Sequence, residues 1–292
     1  MGQGAGTARQ ATLSKPGPAG TDDGVRSLHH ALDAQDDPQT GPLWFVEDGW
    51  QQGRGAYGGL VIGAMVRAAV KACGDDGRRV RSVTAELLGP VLVAPARLVV
   101  EPLRRGSGVT GVRVRLVQAD HPSHIPEELC QAVVLLAKDR PGTPSWNHLP
   151  APTIPDWRQV PVVPLQAPLA PVFTEHFEFR VTGAMPFGGA SAATTQGFVR
   201  PHVRGPVDAA VVAACVDAYW PAAFATFAEP RPMATVTYAL ELYDVAVDPE
   251  EPLFHDARSD VAVGGYATEH RALWTPSGQL VAQNQQVFAI IR

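Results

Sequence analysis

The sequence predicts an α+β protein made of two tandem repeats, each a long central helix wrapped by a curved antiparallel sheet. Three observations predict it. Gly58–Cys73 is apolar on nearly every side, with charge only at Arg67 and Lys71, four apart and so on one helix face. A helix this apolar must be enclosed by protein, and strand-like segments follow it directly. The same order returns after a proline-rich break over 140–171. Local phrases also echo, Arg79–Leu88 against Ala234–Tyr243 and Glu128–Lys138 against Gln279–Ile291.

Residues 1–36 hold Gly, Ala, Asp and Gln with no apolar run, so they read as a disordered leader without a secretory signal. The first repeat is expected over 37–140. Leu43–Glu47 is a short strand, and the glycine-rich loop Asp48–Tyr57 leads into the helix. That helix spans about 24 Å at roughly 1.5 Å per residue, too short and too charged to span a membrane. Arg79–Leu88 is a strand stopped by Gly89-Pro90. Ala96–Leu103 turns through Arg104-Arg105-Gly106-Ser107-Gly108 into Val112–Gln118, whose alternation points its arginines at solvent. Glu128–Lys138 completes the set. Prolines recur over 141–172 without periodicity, so this stretch is expected to be a semi-rigid linker. The second repeat, 173–292, offers a strand at Glu175–Val181, a small-residue loop at Gly183–Ala193 and an Ala/Val-rich helix over Val207–Ala223. Strands at Met233–Tyr243, Leu253–Val263, Tyr266–Trp274 and Gln279–Ile291 follow.

Bulk numbers exclude several classes. With 292 residues, 45% hydrophobic content and a net charge of −5, the chain can bury a large core and does not look like a nucleic-acid binder. Three isolated cysteines, Cys73, Cys130 and Cys215, fit neither a disulfide framework nor a zinc site, and suit a reducing, cytoplasmic compartment. There is no GxSxG elbow, P-loop or HExxH. His121 and His124 are closely spaced but lie in a loop, so neither a metal nor another cofactor is expected. A homo-oligomer is compatible with all of this.

Asp217 is the most informative residue. On a helix over Val207–Ala223 it shares a face with Ala210, Ala213, Ala214, Trp220 and Pro221, where an unpartnered carboxylate costs several kcal/mol. It is a reactive group, a buried cap, or the partner of a nearby arginine. Thr235 and Thr237 lie on the next strand, expected on one face. Four consecutive amides, Gln283-Asn284-Gln285-Gln286, interrupt the last strand, where each buried amide needs partners.

The phrase Gly55-Ala56-Tyr57-Gly58-Gly59-Leu60, followed by Ser82–Pro90 and Leu103-Arg104-Arg105-Gly106, resembles the first repeat of the acyl-CoA thioesterase II family of double hotdog proteins. The resemblance covers about 42–138 and 173–292. It implies hydrolysis of an acyl thioester, carried by CoA or acyl carrier protein, without a cofactor. The family's catalytic Asp, Thr and Gln register here on Asp217, Thr235 and Gln286, the last counted from Leu280-Val281-Ala282. The helix-start amides of Gly58 and Gly59 would hold the oxyanion, with Tyr57 beside them at the substrate wall. Arg67 stands where the first repeat would match Asp217, so the site belongs to the second half.

The chain also departs from the family. Ser82-Val83-Thr84 and Gly89-Pro90 lack the usual His and Arg, and Thr235-Val236-Thr237 replaces Thr-x-Asp. Thr84 in the place of the His motivates an alternative, a dehydratase, lyase or cyclase of a biosynthetic pathway on the same scaffold.

Overall fold

The computed structural model describes residues 27–37, 41–118 and 127–291; the His121–His124 loop lies outside them. A single helical turn, α1 (Leu28–Ala31), is followed by β1 (Leu43–Phe45) and a small hairpin, β2 (Gln51–Gln52) with β3 (Gly55–Ala56). Helix α2 spans Gly58–Cys73 as the apolar run predicts and closes on Gly74 in the left-handed conformation. Strands β4 (Arg79–Leu87), β5 (Pro95–Arg105), β6 (Val109–Gln118) and β7 (Glu127–Ala137) come next. Beyond the proline-rich stretch lie β8 (Phe177–Val181), β9 (Thr194–Pro201), α3 (Ala209–Asp217), β10 (Met233–Leu242), β11 (Leu253–Val263), β12 (Tyr266–Trp274) and β13 (Leu280–Ile290).

All strands but the small hairpin join one antiparallel sheet of eleven, ordered β1-β5-β6-β7-β4-β10-β13-β12-β11-β9-β8. The halves meet at β4 and β10, paired from Glu86 opposite Thr237 to Ser82 opposite Glu241. Both helices, α2 and α3, pack against this sheet and against each other. α2 and α3 lie antiparallel and close, because Gly59 and Gly63 carry no side chain. A Cβ on Gly59 would sit 2.9 Å from the carbonyl oxygen of Ala214, and one on Gly63 2.9 Å from that of Ala210.

Three expectations are corrected. Residues 1–26 of the expected leader lie outside the described residues, and its last part is ordered: Leu28, Ala31 and Leu32 are buried, and Gln35 bridges to Leu43. The two charges of α2 hold this segment, with Arg67 donating to Asp33 at 2.7 Å and to the His29 carbonyl at 2.9 Å. Lys71 reaches Asp36 at 2.6 Å. The second helix ends at Asp217 rather than Ala223, since Pro221 disfavours helical backbone before it and a separate 3₁₀ turn forms at Ala222–Ala225. β9, over Thr194–Pro201, was not expected.

The proline-rich stretch is docked rather than free over part of its length. A 3₁₀ turn at Trp157–Gln159 presents the indole of Trp157 to the guanidiniums of Arg158, Arg180 and Arg200, 4.6, 5.2 and 4.9 Å from the ring centre. Val163 then bridges to Phe179 of β8. The three cysteines are free and buried, and burial pushes the Cys215 thiol up to about 12. Among the described residues no helix is long and apolar enough to cross a membrane.

Candidate active site

α3 carries its only carboxylate inside the helix at its last residue, and antiparallel packing lays that end against the start of α2. Asp217 therefore meets Gly58 and Gly59: a Cβ on Gly58 would lie 2.9 Å from Asp217 Oδ2. The Gly59 N–H favours the charged carboxylate, which sits where the positive end of the α2 dipole favours negative charge. The glycines serve tight packing and present backbone amides at the same time.

From the other side β13 supplies Gln286, fully buried, whose Nε2 donates to Asp217 Oδ1 at 2.8 Å. The same nitrogen donates to Asn284 Oδ1 at 2.9 Å, and Asn284 in turn donates to the Ala239 carbonyl at 2.7 Å. With both amide hydrogens directed at acceptors, Gln286 Oε1 is left to accept from Thr235 Oγ1 at 3.1 Å. A continuous chain runs from Thr235 through Gln286 to Asp217. Because the Thr235 hydroxyl gives its proton to Gln286, its oxygen keeps lone pairs for another donor.

Asp217, Thr235 and Gln286, singled out in the sequence, are thus brought together. Gln286 and Asn284 face inward while Gln285 is exposed, so the alternation of β13 selects the register. Thr237 is corrected. A bulge at Val236 shifts the pairing with β13, turning Thr237 to solvent and Tyr238 and Leu240 inward. Tyr57, the residue before α2, is fully buried, and its ring stacks on Phe173 at 4.2 Å. Gly58 and Gly59 are the first two residues of α2, where backbone N–H groups have no partner within the helix. Thr84 is exposed, so the observation behind the dehydratase alternative does not point into the site.

The sequence reading missed Glu269 and Arg271 on β12, and it named Asn284 on β13 only as one of the four amides. Glu269 and Arg271 share a strand face with Ala267 and Leu273, all buried. An i, i+2 Glu/Arg pair on an apolar face was the available signal. Arg271 Nη1 lies 3.4 Å from Asp217 Oδ1. Burial raises the Asp217 carboxyl above the ordinary value of 3.8, opposed by Arg271, Gln286 and Gly59.

Among the described residues no group of His, Cys, Asp and Glu is arranged to hold a metal. A cavity of about 360 Å³ opens at the opposite end of the helix pair, between Arg67, Asp208, Val70 and Leu242, and does not reach Asp217.

The acyl-CoA thioesterase N-terminal domain matches residues 46–137 and the acyl-CoA thioesterase C-terminal domain matches 146–290. Among solved structures, a conserved protein with a hot dog fold from Alicyclobacillus acidocaldarius is 23% identical, with 91% of this chain and 98% of that chain covered and a TM-score of 0.79. The tesB protein of Mycobacterium avium subs paratuberculosis is 19% identical over 91% and 98%, with a TM-score of 0.72. Acyl-CoA thioesterase II TesB2 of Mycobacterium marinum is 20% identical over 90% and 98%, with a TM-score of 0.69. At these identities the structures establish the hotdog fold. No curated protein matches the chain.

Proposed function

Because the chain belongs to the acyl-CoA thioesterase family and is a thioester hydrolase, we propose that Asp217 is the general base that activates water against an acyl-CoA or acyl carrier protein thioester. The observation that carries this reading is the hydrogen-bonded chain from Thr235 through Gln286 to Asp217 at the start of α2.

Asp217 Oδ1 is engaged by Gln286, and Oδ2 faces Gly58. A water between Oδ2 and the Thr235 oxygen donates one hydrogen to each, which aims its lone pair outward at the thioester carbonyl. Its proton passes to Asp217 as the C–O bond forms, the Gly58 N–H stabilises the developing oxyanion, and collapse expels the thiolate, which recovers the proton from Asp217. Gln286 positions the base and the threonine rather than donating to the water. The acyl chain lies along apolar helix and sheet surface, suiting a medium or long acyl group.

The same reading takes 37–140 and 173–292 as two hotdog repeats in a double hotdog, joined by 141–172, with the catalytic set in the second. A helix followed by antiparallel strands in each half supports it.

Hydrolysis is followed as free thiol from a panel of acyl-CoAs. Asp217→Asn, nearly isosteric but unable to take the proton, is expected to lose about 10²–10⁴-fold in kcat with its circular dichroism unchanged. Full turnover in the folded variant overturns the assignment.

A further inference from the structure

β12 sends two ionisable side chains into the apolar interior behind Asp217, and the mechanism above uses neither. Glu269 is fully buried and the Arg271 side chain is 1% exposed. Charges so enclosed persist only when paired and hydrogen-bonded. Arg271 Nε donates to Glu269 Oε1 at 2.8 Å, while Glu269 Oε2 accepts the Ala222 N–H at 2.7 Å. Arg271 Nη1 donates to the Val216 carbonyl at 3.0 Å and reaches Asp217 Oδ1 at 3.4 Å, and the guanidinium lies 5.3 Å from the Phe288 ring centre. One planar fork is therefore anchored on a carboxylate and grips both the backbone and the side chain at the end of α3. On the neighbouring strand Asn284 pairs in register with Arg271 and Gln286 with Glu269, so the ion pair and the amides form one block behind the carboxylate.

We propose that Arg271, held by Glu269, is the positioning residue of this site: it fixes Asp217 through Oδ1, so that Oδ2 alone faces the water, and its charge tunes the pH at which Asp217 acts as a base. The proposal rests on the reading of Asp217 as that base. Two carboxylates share one cation here. Removing Arg271 makes the Asp217 proton harder to lose, and removing the charge of Glu269 makes it easier. The other titratable groups facing Asp217 stay neutral across the working range. Burial pushes Tyr57 on the loop before α2, Tyr238 on β10 and Cys215 on α3 upward. Beside Arg271, burial and the guanidinium hold His255 of β11 well below 6.5, as neutral imidazole. Thr235, Gln286 and Asn284 do not titrate. The competing account is that Arg271 only caps the carbonyls at the C-terminus of α3.

The test measures kcat, KM and melting temperature against pH for Arg271→Gln, Arg271→Lys, Glu269→Gln and Asp217→Asn, on the best acyl thioester found. Arg271→Gln is expected to lower kcat about 10–100-fold through misplacement of the base, with KM little changed. It should also move the acid limb of kcat/KM up by about one pH unit. Arg271→Lys should return the limb toward wild type while kcat stays low, since an ammonium restores the charge and not the fork. Glu269→Gln should move the limb the opposite way. A cap alone predicts lower melting temperatures with every acid limb unmoved, and that result overturns the proposal. If Arg271→Gln fails to fold, an unmoved limb in Glu269→Gln overturns it equally. Full turnover in Asp217→Asn instead removes the base assignment itself, whereas a dead Asp217→Asn with unmoved limbs removes only the role of Arg271.

Discussion

At the residue scale, Asp217 is a group held at a cost. Its proton affinity is higher in the folded chain than in the unfolded one, because burial outweighs Arg271, Gln286 and Gly59. Its contribution to stability is therefore fully present below about pH 3.8 and is lost as pH rises from there through the folded-state value. Asp217→Asn leaves Glu269 and Arg271 as a balanced pair, so thermal melts at pH 7 are expected to show a variant at least as stable as wild type. A marked drop would make Asp217 a structural partner of Arg271. The same burial is expected to move the acid limb of wild-type kcat/KM upward from where an exposed aspartate would put it. Thr235→Ala and Gln286→Ala should each lower kcat by about 10–10³-fold, and their doubles with Asp217→Asn should fall far short of multiplying, since all three act on one water. Independent multiplication would show separate roles. Part of this site was legible in the residues themselves, while Thr235 and the register at Gln286 came from the resemblance to the thioesterase family. A carboxylate among alanines and four amides in an apolar strand are costly, and cost marks purpose. Arg271 stayed hidden because Glu269 and Arg271 read as ordinary surface charges until strand parity is applied. Thr237 was misjudged because a bulge leaves no trace in alternation.

At the scale of elements, apolar periodicity located α2 and most strands, while helix ends and tethers depend on side-chain contacts that periodicity does not carry. α3 starts where Asp208 caps it, accepting the Val211 N–H at 2.9 Å and pairing with Arg67 at 2.9 Å. Asp208→Ala should cost about 0.5–2 kcal/mol in urea unfolding through loss of the cap. Asp208→Asn keeps an acceptor for Val211 and should lose only the half-exposed ion pair, about 0–1 kcal/mol. Equal costs for the two would mean that the ion pair, not the cap, starts the helix. The segment before β1 was misread because its low apolar content concealed two leucines that count. Leu32 is fully buried against α2, where a Cβ on Gly63 would touch it. Leu32→Ala should cost about 2–5 kcal/mol, and a change within error would mean that the segment around Leu32 adds nothing to the core, as the reading of 1–36 as a disordered leader implies.

At the scale of the whole molecule, a helix followed by antiparallel strands in each half was legible, but the way the halves close on each other was not. Strand periodicity says which faces are buried and nothing about which strand lies beside which. The answer is one sheet through β4 and β10, with α2 and α3 in contact beneath it. The proposed site straddles that junction: Asp217, Thr235 and Gln286 come from the second half, and the Gly58 and Gly59 amides from the first. Cutting the chain in the proline-rich stretch would expose an edge strand and a helix face on each piece, the conditions for aggregation. Residues 141–292 alone should therefore be insoluble, or soluble and without hydrolysis, although they carry the whole catalytic set. Co-expression with 27–140 should restore activity, since the lost contacts are complementary surfaces rather than covalent links. Gly59→Ala in the intact chain should mimic part of the cut, because its methyl would press on the Ala214 carbonyl and on Asp217 Cβ, each at 2.9 Å. Overpacking of this kind costs about 1–3 kcal/mol and displaces the base. Turnover by 141–292 alone, at the rate of the full chain, would show that the first half is not part of the site.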